Sequence, residues 1–136
     1  MTALALVTAG RVRVVESIEQ FTAPLGESLV VGDAVRFDTT TGKFTGANGG
    51  SAPEARIYGI LVSKDGAGAS GTAIRRGIID GFALTAMAYD AAVYLSDTDK
   101  TLADAAGTVS TVVGRVVPAF ANAIGTTPDK LLHISL

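Results

Sequence analysis

Four groups of residues in this chain have the types and spacing that chemistry uses. The stretch GAGASG at 66–71 matches the glycine spacing of a dinucleotide-binding loop, and Asp90 follows it at about the distance of a ribose-binding acid. That loop works only if a helix opens directly after it and aims its N–H groups at a pyrophosphate. Here TAIRRGIIDG follows instead. Ile74, Ile78 and Ile79 favour extension while Gly77 and Gly81 interrupt a helix, so the expectation is a flexible hairpin loop. His133 is the single histidine. A Ser-His-Asp set needs a serine on a sharp nucleophile elbow, and Ser28, Ser63, Ser70 and Ser96 all lack the G-x-S-x-G frame. His133 alternates with apolar neighbours in KLLHISL and is expected to be a strand residue.

Asp97 and Asp99 in SDTDKT open like a calcium loop, but the glycine and distant glutamate of such a loop are missing and Lys100 intrudes. An Asx-type turn is expected there. Arg75 and Arg76 are adjacent, so a strand points them to opposite faces, which does not make one anion pocket. They are expected at solvated edges or against a partner's carboxylates. The residues therefore point to a non-enzymatic chain with no catalytic set, no cofactor and no metal site.

Composition narrows the class further. The chain has 136 residues, enough for one domain, and 48% of them are hydrophobic, which excludes a disordered tail. Charged residues are only 18%, below the usual quarter; buried interfaces account for that deficit, and a Thr/Ser/Gly surface does so equally. A net charge of −2 gives no electrostatic reason to bind nucleic acid, so none is expected as a partner. The absence of cysteine removes disulfides and thiolate chemistry. Ala3 to Ala9 is apolar but short, lacks a basic lead-in and runs into Arg11 and Arg13, so neither a signal peptide nor a membrane partner is expected. Residues 1–10 are read as an N-terminal arm and 11–136 as a single β domain. The arm presents Leu4, Leu6 and Val7, and it is expected to order only on assembly; the competing reading is an edge strand of the chain's own sheet.

The elements that must position these residues are strands. RVRVVESIEQF alternates with one slip at Val15-Glu16, and VVGDAVRFD sets Val35 and Phe37 on one face with Arg36 on the other. TTTGKFTG supplies a turn at Gly42. RIYGILVS, TAIRRGIIDGFAL, AAVYLS, TLADA, TVSTVVGRVVPAF and KLLHISL complete the series, with turn signals at the spacing of a sandwich or barrel. At most one or two short helical turns fit, at 52–56 and within 83–90. Gly32, Gly59, Gly77, Gly81 and Gly114 fall in or beside strands and signal bulges, bends or close backbone approach.

The pattern is also doubled. Gly32 to Asp38 lies over Asp90 to Ser96 and Phe44 over Leu102; Tyr58 to Val62 then lies over Val113 to Val117. Units of about 32–62 and 90–117 each read as strand, turn, return strand, loop and a glycine-marked third strand. The expected fold is an all-β, small single-domain barrel or two-sheet sandwich with this pseudo-repeat.

The segments LGESLVVGDAVRFDTTTGKFTGA, ARIYGILVS, AAVYLSDTDKTLA and VVGRVVPAF together resemble the small capsid cement (head decoration) proteins of tailed phages. The resemblance covers about residues 25–120 and lies in the order and spacing of short elements; YDAAVYLS departs from it in having no glycine before its valine. It implies a structural virion protein, made in the host cytoplasm, on the outer surface of a phage capsid. There it would cement neighbouring major capsid proteins against internal pressure, as a homotrimer or a dimer. Leu4, Leu6, Val7, Arg11, Arg13, Arg75 and Arg76 are the expected capsid or subunit contacts. The alternative class is a β-module for adhesion or receptor and sugar binding, which would want exposed aromatics or a cation site near the loop tips; Tyr58, Tyr89 and Tyr94 are the residues available for it.

Overall fold

The computed structural model describes residues 2–119 and 129–136. Among these residues ten strands follow one another: β1 (Ala3–Leu4), β2 (Arg13–Pro24), β3 (Ala34–Phe37), β4 (Phe44–Gly46), β5 (Gly59–Lys64), β6 (Ser70–Asp80), β7 (Ala92–Leu95), β8 (Leu102–Ala103), β9 (Val112–Pro118) and β10 (Lys130–Ser135). All their pairings are antiparallel, in one path running β1-β8-β7-β9-β10-β6-β5-β3-β4, with β2 added on β6. The path stays open, so the sheet is not a closed barrel. Among the described residues the two expected helical sites are hydrogen-bonded turns. Ala55 N donates to Ser51 O at 3.0 Å and Met87 N to Leu84 O at 3.0 Å.

Strand β6 joins the two halves. Its first part pairs with β5 through Ile60↔Ile74 and Leu61↔Ala73. Its second part pairs with β10 through Leu132↔Ile79 and Ile134↔Gly77. The opposite edge of β6 is taken along its whole length by β2, from Arg13↔Asp80 to Pro24↔Ser70. Isoleucines of β6 thus serve a core drawn from both halves: Ile74 and Ile79, with Ile60 of β5, meet Val93, Leu95, Val113, Leu132 and Ile134 in one buried cluster. Each such side chain, fully buried, contributes roughly 1.5–3 kcal/mol. The other face of the β5–β6–β3 region carries a second, smaller core of Ala23, Leu29, Val35, Phe44, Leu61 and Ala73. Because both faces are covered there, β5 reads as the unbroken apolar run Gly59-Ile60-Leu61-Val62 rather than as an alternation.

The doubling is present in the backbone. β3 pairs with β4 through Phe37↔Phe44, and β7 pairs with β8 through Leu95↔Leu102. β3 meets β5 at Val35↔Gly59, and β7 meets β9 at Val93↔Gly114. The turns agree as well: Gly32 N donates to Leu61 O and Asp90 N to Val116 O, both at 2.7 Å. Gly32 and Gly42 have φ of +101° and +71°; their counterparts Asp90 and Lys100 hold +66° and +67° without being glycine. Asp90 therefore keeps the turn although its unit lacks the glycine, since a short polar side chain tolerates the left-handed region better than most.

Gly59 and Gly114 need their missing side chain. A Cβ on Gly59 would overlap the Ile74 carbonyl, and one on Gly114 would overlap the His133 carbonyl. The third strand of each unit is thus pressed backbone to backbone against its neighbour, as the glycine markers in the sequence indicated.

The first residues are part of this sheet. β1 pairs with β8 through Ala3↔Ala103 and Leu4↔Leu102, and Leu4 is buried in the main core. Leu6 forms a bridge with Phe82 and lies against Gly32, whose added Cβ would come 2.7 Å from Leu6 Cδ1. The expectation of an arm that orders only on assembly is corrected: the apolar side chains of Leu4 and Leu6 find their cover within the chain's own fold.

Candidate interaction surface

The residues with chemical spacing resolve into local structure. GAGASG lies in the connection from β5 to β6, where Asp65 N donates to Ser70 O at 3.0 Å and Asp65 Oδ1 accepts from Ala69 N at 2.8 Å. Strand β6 begins within it, at Ser70, and no helix opens there. Asp97 accepts from Thr108 N at 2.8 Å and from Thr108 Oγ1 at 2.7 Å, and these bonds hold its carboxyl below the ordinary aspartate range. Asp99 accepts from Asn48 Nδ2 at 3.2 Å. Both carboxylates bind protein donors, and among the described residues no group of three or more His, Cys, Asp or Glu stands in a metal-binding arrangement. His133 lies on β10 in register with Arg115 and Ile78, half-buried.

Lys100 is the polar hub between the two units. Its Nζ lies 2.8 Å from Glu27 Oε1. Its backbone N donates to Ala47 O at 2.8 Å and its carbonyl accepts from Ala34 N at 3.1 Å. Glu27 also accepts from the Thr45 hydroxyl and from Gly46 N at 3.1 Å. The bond from Lys100, then the one from Thr45, lowers the Glu27 carboxyl to about 2. This is a staple: it ties Lys100 of the second unit to Ala34 and Ala47 of the first and to Glu27 ahead of it.

The expected contact residues do not form one patch. Leu4 and Leu6 point inward, while Val7 is 75% exposed. Arg11 and Arg13 are exposed, and Arg13 Nη2 lies 3.5 Å from Asp80 Oδ2. Arg75 and Arg76 separate as adjacent strand residues should. Arg76 is exposed, whereas the Arg75 guanidinium sits 5.4 Å from the centre of the Tyr58 ring and 3.8 Å from Glu19 Oε2. A groove of about 370 Å³ beside Val7 is lined by Phe82, Leu84, Tyr89, Asp129 and Lys130. Its cation is committed: Lys130 Nζ donates to Thr85 O at 3.2 Å and to Met87 O.

Sequence reasoning missed the main exposed apolar surface. Phe21 of β2 meets Phe37 of β3 edge-on at 5.7 Å and Tyr58 at 6.2 Å, and Phe37 stacks on the buried Phe44 at 5.0 Å. Phe21 is 50% and Phe37 37% exposed. These rings belong to strands on either side of β6. Between their strands run β6 and β5, where Phe21 is in register with Ala73 and Ala73 with Leu61. The patch continues along β2. Every residue of that strand except Ala23 is exposed, including Val14, Val15, Ile18 and Phe21. The amphipathic alternation gave the strand but not its lack of cover. Its neighbours are set by pairings between residues far apart in the chain.

No protein-family model, curated protein or solved structure matches the chain.

Proposed function

We propose that the protein is a structural component of a phage virion that binds the outer surface of the capsid and cements neighbouring major capsid proteins. The observation carrying this reading is the doubled unit. The segments on which the resemblance to cement proteins rests are the ones duplicated with the same registers, Val35↔Gly59 and Val93↔Gly114. A rigid two-unit core suits a protein whose work is mechanical: it holds exposed residues at fixed spacing, and symmetry multiplies weak contacts into avidity. Val7, Arg11, Arg13 and Arg76 are the expected residues that face outward for the capsid protein or another copy. On this reading the partners are the major capsid protein and further copies of the chain. Co-sedimentation with purified empty capsids tests it: the protein should pellet with shells at saturating stoichiometry and raise the temperature at which packed particles release DNA. A protein that stays in the supernatant with its own phage's capsids overturns the reading.

A second reading, a β-module for adhesion, has one specific observation in its favour. The exposed rings of Phe21 and Phe37, with the half-buried Tyr58, form an aromatic platform beside a charged pair, Glu19 and Arg75. Binding to immobilised glycans that is lost in Phe37→Ala while shells are ignored would select this reading over the first.

A further inference from the structure

We infer that the outer edge of β2 is a self-association surface, on which a second copy of this chain docks its own β2 antiparallel about a twofold axis at Ser17. The inference stands whether or not the capsid reading does, because it rests on the strand alone.

β2 is the longest strand, Arg13–Pro24, and among the described residues its one strand partner is β6. An unpaired edge of that length, with apolar side chains beside it, is a template for another strand. The usual deterrents are thin here. β2 contains no lysine, and its proline stands at the last position. Its bulges are the exception, and they help identify the occupant. The register to β6 shifts between Val14 and Glu16 and again between Ser17 and Glu19, leaving Val15 and Ile18 out of line. Bulges add local right-handed twist, so a flat strand seats poorly along this edge. A second copy brings the same bulges and the same twist.

Charge selects both the copy and its direction. Arg11 and Arg13 lead the strand; Glu16 and Glu19 follow in its middle. Parallel, in-register pairing would set arginine on arginine and glutamate on glutamate. Antiparallel pairing opposes the two signs. With the axis at Ser17, Arg13 of each copy lies diagonally beside Glu19 of the other. Ile18 faces Glu16 of the other copy and lies diagonally beside its Val14 and Ile18, and the one like-charge contact, Glu16 diagonally beside Glu16, stands against two Arg13–Glu19 contacts. The existing partners of these charges are weak competitors: Arg13–Asp80 at 3.5 Å and Glu19–Arg75 at 3.8 Å are solvent-exposed pairs. The contact is isologous and closed, so it yields a dimer, not a fibre.

The test uses the full chain in the absence of capsids, so its outcome is independent of capsid binding. Sedimentation of the wild type over micromolar concentrations should show a dimer. Ile18→Lys, at a position already 60% exposed, should weaken self-association about tenfold or more with an unchanged β-type dichroism spectrum. The cysteine-free chain permits a second, register-specific measurement. Ser17→Cys should oxidise to a covalent dimer under native conditions, since the axis brings the residue opposite itself, and Thr22→Cys should not. A wild type that stays monomeric, a trimer, an association untouched by Ile18→Lys, or equal cross-linking at both cysteine positions would each overturn the proposal.

Discussion

Lys100 Nζ lies 2.8 Å from Glu27 Oε1, and this contact ties the tight turn of the second repeat unit to the segment that leads into the first. Lys100 occupies the position that Gly42 holds in the first unit, with φ of +67° against +71°. A lysine there carries backbone strain that a glycine would not. What it adds is a cation placed between units, together with backbone bonds to Ala34 and Ala47.

The staple should give the protein an acid-sensitive limb. Glu27 is lowered from 4.5 to about 2, foremost by its bond to Lys100. A carboxyl whose folded value lies below its unfolded one stabilises the fold fully above the unfolded value, and that stability is lost as pH falls toward the folded value. Melting temperature should therefore drop as pH falls from 4.5 toward about 2, and Glu27→Gln should flatten that limb. Asp33 works in the opposite sense: burial raises its carboxyl, so its protonation favours the fold on acidification and offsets part of the drop. Because Lys100 and Glu27 remain 28% and 36% exposed, Glu27→Gln at neutral pH should cost only ~0.5–1 kcal/mol. Thermal melts across pH check both statements.

Gly59→Ala and Gly114→Ala should each be far more damaging than their size suggests. The added methyl meets a backbone carbonyl of the neighbouring strand, Ile74 in one unit and His133 in the other, and backbone cannot turn aside as a flexible side chain can. A loss of about 3 kcal/mol or more is expected for each. Gly42→Ala is the control: it has a positive φ but nothing within 4 Å, so its loss should be ~1–2 kcal/mol. Chemical denaturation of the three variants distinguishes close approach from backbone strain.

Removal of residues 2–9 should destabilise the free protein. It strips Leu4 from the main core, uncovers Leu102 and Ala103 of β8, and takes Leu6 off Gly32. Leu4→Ala alone should cost about 2 kcal/mol, the low end for a buried leucine at a sheet edge. Val7→Ala, at an exposed position, should be nearly neutral. Calorimetry of the three variants decides the matter; a truncated protein that melts with the wild type would mean that β1 is a passive passenger.

Local features of this fold were legible in the sequence. The slip at Val15-Glu16 marks the bulge between Val14 and Glu16, and the in-strand glycines at 59 and 114 mark the two closest backbone approaches. The echo between units is visible because each turn needs the same few residues at the same offsets. Features created by distant pairing were not legible. Nothing near Phe21 or Phe37 indicates that β2 and β3 lie on the two sides of the β5–β6 pair with their rings 5.7 Å apart. Likewise the apolar run at 3–9 has no local signal naming β8 as its partner, so an assembly arm and an edge strand look alike until the sheet is known.

The shared edge of β6 has a consequence for how the chain is made. When β6 leaves the ribosome, β2 and β5 are already available, but the half of its edge from Arg76 to Ile79 must wait for β10. β10 begins about 50 residues later, a delay of roughly 3–10 s at ordinary synthesis rates. Throughout that interval Ile74 and Ile79 belong to a core whose other wall, Val93, Val113 and Leu132, does not yet exist. Vectorial synthesis thus leaves a half-built β structure with an open edge and an uncovered apolar face. β10 acts as a latch: only when it has been made is that half of the β6 edge paired and the main core walled on both sides.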